Sequence, residues 1–133
     1  MSGSIRRISS GAPWEEIVGY SRAVVAGDRV LVSGTTALGP DGRLVGPGDP
    51  AAQARQCIEN IRRALAEAGV GMDRVVRTRV FVTDIGHWEA VGRMHGEYFS
   101  EIRPACTLVE VSRLVDPEML VEIEAEAWMP DGD

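Results

Sequence analysis

The sequence predicts an α+β domain in which two helices cover one face of a mixed β-sheet, in the order β-β-α-β-α-β-β. Three observations lead to this prediction. Residues 19–25 and 29–34 read as strands on either side of the tight turn Gly27-Asp28, which is a β-hairpin signal. Two later segments repeat apolar residues at the spacing of three and four that is typical of helices. Three other segments read as further strands, so the elements mix along one chain.

The first helix follows a stretch rich in glycine and proline, residues 39–50. Asp49 is the expected N-cap, Pro50 takes the first helical position, and the helix runs to Ala68 before Gly69 ends it. Its apolar stripe consists of Ala54, Cys57, Ile58, Ile61, Ala64, Leu65 and Ala68. The polar side is predicted to consist of Gln53, Gln56, Glu59, Arg62, Arg63 and Glu67.

The second half of the chain supplies three strands and the other helix. Residues 75–83 form the third strand, with an apolar face predicted at Val76, Thr78, Val80 and Val82. Asp84 can cap a helix that reaches Phe99. The buried face of this helix is predicted to hold Trp88, Val91, Met94, His95, Tyr98 and Phe99. Residues 106–111 and 119–128 are the last two strands, and residues 1–133 form one domain.

Composition and sequence pattern argue against several classes of protein. The net charge of −6 is unfavourable for a nucleic-acid-binding face, which needs clustered Lys and Arg. No apolar stretch is long enough to span a membrane, and the N-terminus lacks the apolar core of a signal peptide. The two cysteines, Cys57 and Cys106, read as reduced thiols of a cytoplasmic protein, with Cys57 in the core.

No cofactor or metal is expected. His87 and His95 are eight residues apart on one predicted helix, so about 12 Å separates them along its axis, too far for shared coordination. The sequence has no glycine-rich phosphate loop of the P-loop or dinucleotide-binding type. A thiol nucleophile at Cys106 is also disfavoured, because neither histidine lies near it in sequence to act as its base.

Several motifs in a fixed order resemble the Rid (reactive intermediate deaminase, YjgF-like) family over about residues 20–127. They are Tyr20-Ser21-Arg22-Ala23-Val24, Val32-Ser33-Gly34, Gln53 with Glu59-Asn60-Ile61, Val80-Phe81-Val82-Thr83-Asp84, Arg103-Pro104-Ala105, Val109-Glu110-Val111 and Val121-Glu122-Ile123-Glu124-Ala125. The resemblance implies a chorismate-mutase-like fold and a homotrimer with small-molecule pockets between its subunits. It also implies hydrolysis of reactive enamines and imines, such as 2-aminoacrylate, to 2-keto acids and ammonia.

The resemblance also assigns residues to the pocket. Glu122 matches the glutamate that positions water, and Tyr20 matches a pocket tyrosine; both are the predicted catalytic residues. Ser33, Gly34 and Thr35 match a segment that lines the pocket. Glu122, Glu124 and Glu126 alternate on one strand face, where Glu126 is expected to be solvated with arginine partners.

The chain departs from the family pattern at one position. Cys106 stands where the deaminases carry an arginine that clamps the substrate carboxylate, and a thiol is only a weak donor. Arg103 projects from a different point on the backbone, so it is not assumed to replace that arginine. We expect Arg103, Cys106 and Thr107 to contact the ligand, and we expect 2-imino acids to be poor substrates. Three functions remain open: a hydrolase of another imine or enamine, a non-catalytic metabolite-binding trimer, and, disfavoured by the acidic charge, an endoribonuclease.

Overall fold

The computed structural model describes residues 4–130. The domain predicted over residues 1–133 also includes three residues at each end, which lie outside the described part. The strands are β1 (Ile5–Ile8), β2 (Ala23–Ala26), β3 (Arg29–Thr35), β4 (Val75–Val82), β5 (Ala105–Glu110) and β6 (Val121–Trp128). The helices are α1 (Pro13–Val18), α2 (Pro50–Ala68) and α3 (Trp88–Phe99).

The strands form one six-stranded sheet in the order β1-β2-β3-β6-β4-β5. Neighbouring strands are antiparallel, except that β4 and β5 are parallel, so the sheet is mixed. α2 and α3 pack against each other and cover one face of the sheet over a single apolar core. The predicted α+β class and mixed sheet are confirmed.

The N-terminal elements β1 and α1 were missed by the sequence prediction. β1 is only four residues long and takes its backbone partners from β2, where Ile5 faces Ala26. α1 has six residues, too few for a helical repeat to be visible. Gly19 ends α1 in the left-handed conformation, with φ of 89°, so the strand predicted from residue 19 begins only at Ala23.

Gln53 corrects the predicted polar side of α2. Its side chain is fully buried. The amide nitrogen donates to the carbonyls of Gly46 and Glu118, both at 3.1 Å, and the amide oxygen accepts from the backbone N–H of Leu120 at 2.8 Å. These partners lie in two loops, so helical periodicity alone could not reveal that this position faces inward. The predicted caps Asp49 and Gly69 are confirmed.

Two predicted core residues, Val76 and Trp88, are exposed. The register between β4 and β6 shifts between Val75 and Arg77, so Val76 lies in a β-bulge and Val75 takes its place in the core. Asp84 caps a short 3₁₀ turn, Ile85–His87, by accepting from Gly86 N–H at 2.8 Å. α3 therefore starts at Trp88, whose side chain projects to solvent.

Candidate functional site

A pocket of about 460 Å³ lies where β3 ends, between α1, α2 and β6. The lining residues contributed by β3, by β6 and by the segment just before β2 are here called the floor: Tyr20, Arg22, Gly34, Thr35 and Glu122. Its apolar walls include Trp14, Val18, Leu38, Pro40 and Val115. Two exposed α2 residues, Arg63 and Glu67, stand at the rim. The register of β3 against β6 shifts between Val32 and Thr35, and this irregularity carries Gly34 to the floor.

Glu122 supplies the carboxylate of the floor. It lies against Gly34 so closely that a Cβ on that residue would overlap Oε2. Burial raises its pKa above the usual range, the charge of Arg22 opposes this, and Glu124 adds to it. Within residues 4–130, no hydrogen bond contributes to the pKa of this carboxyl group. A carboxyl group with a raised pKa and lone pairs that no described residue engages is suited to exchanging protons with water or a ligand.

Arg22 joins the floor together, a role that the sequence analysis did not assign. It is a buried residue, and its Nη1 donates to the carbonyl of Gly34 at 2.7 Å and to Thr35 Oγ1 at 2.9 Å. Its Nη2 donates to the hydroxyl of Tyr20 at 3.2 Å. In the sequence, Arg22 was visible only as part of a motif, because its hydrogen-bond partners Gly34 and Thr35 lie at the end of β3.

Glu15 on α1 forms an ion pair with Arg22. Its Oε2 lies 3.6 Å from Nε of Arg22. Ser9 donates its hydroxyl to the same carboxylate at 2.9 Å, and Ser10 donates its hydroxyl and its backbone N–H. Although burial raises the pKa of Glu15, the bonds from Ser10 and Ser9 and the charge of Arg22 outweigh it, so the net shift is downward. The N-terminal wall of the pocket is thereby anchored to its floor.

The hydroxyl of Tyr20 is oriented by Arg22. Because Nη2 of Arg22 donates to the phenol oxygen, the phenol hydrogen is left to donate elsewhere, and Tyr20 lines the pocket. The guanidinium also lies 5.5 Å from the centroid of the Tyr20 ring. A hydrogen-bond donor and a carboxylate therefore converge on the floor.

The three glutamates predicted to share one face of β6, here called the carboxylate ladder, lie in two different environments. Arg79 Nη1 donates to Glu124 at 2.9 Å and to Glu126 at 3.1 Å, as predicted for Glu126. Glu122 is the member of the ladder that lines the pocket. The alternation that places the three side chains on one face is confirmed, because Val121, Ile123, Ala125 and Ala127 are all buried on the other.

The structure brings together four of the predicted site residues: Tyr20, Gly34, Thr35 and Glu122. Ser33 is not among the lining residues, and its hydroxyl donates to the carbonyl of Ser21 at 2.7 Å. Glu15, Trp14 and the α1 wall were not predicted from the sequence. A usable signal was present, since Pro13 with Glu15 and Glu16 after it marks a helix start.

Arg103, Cys106 and Thr107 lie away from this pocket within one chain. β5 is an edge strand, and β4 separates it from β6. Cys106 faces Thr78 and Ala125 in the sheet register, whereas Glu122 faces Phe81 and Val109, so about 10 Å separates them across the strands and about 10 Å along them. Cys106 and Thr107 are exposed, and Arg103 Nε donates to the Ser100 carbonyl at the end of α3 at 2.9 Å. Their ligand-binding role stays a prediction.

Three further observations concern metal binding, membrane helices and the buried cysteine. In residues 4–130 no three His, Cys, Asp or Glu side chains cluster closely enough to hold a metal ion. No helix within that range is long and apolar enough to cross a membrane. Cys57 is buried in the core as predicted, and burial raises the pKa of its thiol far above the usual range.

A sequence model of the family described as Endoribonuclease L-PSP matches residues 11–129. The chain belongs to this family. An uncharacterized protein of Streptomyces coelicolor is 46% identical over 127 residues, 96% of this chain and 94% of that relative. A RutC family protein of Pyrococcus abyssi is 36% identical over 109 residues, 82% of this chain and 85% of that relative.

Solved structures of the endoribonuclease L-PSP family share the fold. A Mycobacterium tuberculosis protein of the YjgF/YER057c/UK114 family is 46% identical and superposes with a TM-score of 0.87, over 95% of this chain and 100% of that chain. A Yersinia pestis protein described as belonging to the Rid family is 36% identical with a TM-score of 0.84, over 95% and 100%. The Escherichia coli YjgF protein is 34% identical with a TM-score of 0.81, over 92% and 98%. The predicted Rid/YjgF resemblance is confirmed.

Proposed function

We propose that this protein hydrolyses the C=N bond of a small imine, or of an enamine after its protonation, in pockets completed by neighbouring subunits of a homotrimer. The observation that carries this proposal is the convergence of the Glu122 carboxyl group and the Tyr20 hydroxyl on one pocket floor. Family membership supports a small-molecule hydrolase or deaminase. We assign the protein to the cytoplasm, since unpaired Cys57 and Cys106 suit a reducing compartment.

The proposed hydrolysis needs one proton-exchanging group. Glu122, as the carboxylate, takes a proton from water while the water oxygen forms a bond to the carbon of the protonated imine, and the C=N electron pair moves to nitrogen to give a neutral carbinolamine. The protonated Glu122 then gives this proton to the amine nitrogen, the C–N bond breaks, and the carbinolamine hydroxyl releases its proton to solvent as the C=O bond forms. The products are a carbonyl compound, ammonia and one proton, and Glu122 is again a carboxylate. Tyr20 donates a hydrogen bond to the oxygen or nitrogen of the intermediate.

The open sheet face supports the trimer. Leu31 and Val109 are about two-fifths exposed and Trp128 is nearly half exposed, because all three lie on the face of the sheet that α2 and α3 leave uncovered. The edge strand β5 carries Cys106 and Thr107 toward solvent as well. A neighbouring subunit docked on this face would bury these apolar side chains and could bring its own Arg103, Cys106 and Thr107 to the pocket.

A metabolite-binding module without turnover is the second candidate. It is favoured by the hydrogen bonds that Arg22 forms within the floor and by its ion pair with Glu15, because these contacts hold Arg22 in place as a structural group rather than a reacting one. The endoribonuclease activity named in the family description is not proposed, because a net charge of −6 disfavours the phosphate contacts that RNA binding requires.

Ammonia release from a panel of imines tests the proposal. The natural protein is compared with Glu122→Gln, which keeps the side-chain size and removes proton exchange. We expect turnover to fall by roughly 10²-fold or more, the scale of general acid–base catalysis. Glu126→Gln is the matched control, because Glu126 lies on the same strand face but pairs with Arg79 outside the pocket. Equal turnover by Glu122→Gln and the control would refute the catalytic role, and ligand binding without turnover would favour the binding module.

A further inference from the structure

We infer that the pocket selects an apolar amine, imine or iminium compound that carries no carboxylate group. This inference rests on the proposed function for the location of the site, and it names the chemical class of the ligand. It is derived from the hydrogen-bond geometry of Arg22, from the charges that line the floor and from the apolar walls.

Arg22 has no pair of N–H groups free to hold a carboxylate. Binding of a carboxylate by arginine uses two parallel N–H groups on one edge of the guanidinium. Both donors of Nη1 are used by Gly34 and Thr35, and one donor of Nη2 is used by Tyr20. The Nε edge faces the carboxylate of Glu15. Among the residues that the structure describes, Arg22 therefore keeps a single unassigned N–H, and the carboxylate of Glu15 compensates its charge.

Within one chain, Glu122 is then the net charge that a ligand meets on the floor. A ligand carboxylate placed beside it would put two like charges together, which is unfavourable in a partly buried site. A nitrogen cation, or a neutral imine that gains a proton there, would instead pair with Glu122. At the rim, Arg63 and Glu67 carry opposite charges four residues apart on α2 and are exposed, so water and salt screen both of them.

The walls favour a hydrocarbon group on the ligand. Trp14, Val18 and Leu38 contribute apolar surface, and Pro40 and Val115 extend it. Burial of such a group is driven by removal of apolar area from water. The ring of Trp14 can also attract a nitrogen cation. The pocket thus joins an apolar wall to an anionic floor, which is complementary to a hydrophobic amine or iminium.

Calorimetric titration of the natural protein with three matched probes tests this inference. 2-Phenylethylamine has the amine alone, phenylalanine has the amine and a carboxylate, and 3-phenylpropionate has the carboxylate alone. We expect 2-phenylethylamine to bind at least tenfold more tightly than phenylalanine, and 3-phenylpropionate to bind most weakly. Phenylalanine or 3-phenylpropionate binding as tightly as the amine would overturn the inference, as would no binding of 2-phenylethylamine at millimolar concentration.

A Glu15→Gln variant tests the neutralisation of Arg22 directly. Loss of the Glu15 charge leaves the charge of Arg22 uncompensated, so 3-phenylpropionate should bind about tenfold more tightly than to the natural protein. Glu16→Gln, on the exposed side of the same helix, is the control and should show no gain. No gain in a Glu15→Gln variant with a native circular dichroism spectrum would contradict the inference. If the variant does not fold, the probe series on the natural protein still decides.

The two proposals fail in different ways, because the three probes are not imines and their binding requires no turnover. A protein that prefers 2-phenylethylamine but releases no ammonia from any imine would refute the hydrolase and support the charge preference. A protein that hydrolyses imines but prefers the carboxylate-bearing probes would do the reverse. Loss of the Trp14 fluorescence response to the amine in Trp14→Phe would place the bound probe in this pocket.

Discussion

The carboxylate of Glu122 lies directly over Gly34. A Cβ built on Gly34 would overlap Oε2 and would stand 3.0 Å from Cδ and 3.4 Å from Cγ of Glu122. The carbonyl of the same glycine accepts the 2.7 Å hydrogen bond from Arg22. The absence of a side chain at position 34 is therefore what lets the carboxylate of Glu122 lie against the same backbone segment that Arg22 binds.

Gly34→Ala should reduce activity by displacing Glu122. The new methyl group and the carboxylate cannot occupy their present positions together, so Glu122 must change rotamer. We expect ligand binding or turnover to fall at least tenfold while the protein remains folded. Gly96→Ala is the control, because a Cβ there meets open space in α3 and improves helix propensity. Unchanged binding by Gly34→Ala would show that the position of Glu122 is not critical.

Glu122→Gln should change how stability depends on pH. Burial raises the pKa of Glu122 in the folded protein, against the opposing charge of Arg22, so ionisation costs more when folded than when unfolded. The natural protein therefore loses stability as the pH rises from the unfolded value, about 4.3, through the raised folded value. Glutamine does not titrate. The free energy of unfolding of the variant, relative to the natural protein, should rise with pH across that window. Urea unfolding at fixed protein concentration measures it, and a constant difference would argue against the raised pKa.

Gln53→Leu should be strongly destabilising. Removal of the buried amide leaves the carbonyls of Gly46 and Glu118 and the N–H of Leu120 without their partner. An unsatisfied buried group costs about 1–3 kcal/mol, so we expect a loss of about 2–4 kcal/mol in the free energy of unfolding. Gln56→Leu is the control, since the hydrogen bond that the described residues give Gln56 is to Asn60, on its own helix. Equal losses for the two variants would mean that the buried amide has no special role.

Cys106→Arg should raise activity on 2-imino acids. The natural protein lacks the clamp at this position, and a charge-assisted hydrogen bond contributes about 1.5–3 kcal/mol, which corresponds to roughly 10- to 100-fold in substrate capture. Hydrolysis of 2-aminoacrylate-type substrates by both proteins measures the effect. Cys106→Gln controls for side-chain length without charge. Robust activity in the natural protein would mean that another group, such as Arg103, already binds the carboxylate.

The natural protein should sediment as a trimer at micromolar concentration, with three times the 14.4 kDa mass of the chain. The physical reason is the uncovered sheet face that bears Leu31, Val109 and Trp128. A charge at its centre, Leu31→Glu, should lower the sedimenting mass. Glu16→Gln, away from that face, should not. A monomer mass for the natural protein would rule out the intersubunit pocket.

The sequence alone determined the class of the fold and named four of the residues that line the pocket. Helical spacing in α2, the alternation in β6 and the hairpin turn at Gly27 are local patterns, and each was confirmed. The motif resemblance identified Tyr20, Gly34, Thr35 and Glu122, which the structure brings together. Such features depend on residues close together in the chain, where periodicity and turn chemistry act directly.

Only the tertiary structure decided which groups neutralise one another. In the sequence, Arg22 was only part of a motif. The structure places the end of β3 and the carboxylate of Glu15 around its guanidinium. Gln53 was predicted to be on a polar surface and is buried, because it binds a distant loop. Val76 was predicted to be in the core and is exposed, because it lies in a β-bulge. Hydrogen bonds and charges act through space, so the electrostatic character of the pocket depends on contacts between segments whose separation in sequence carries no pattern.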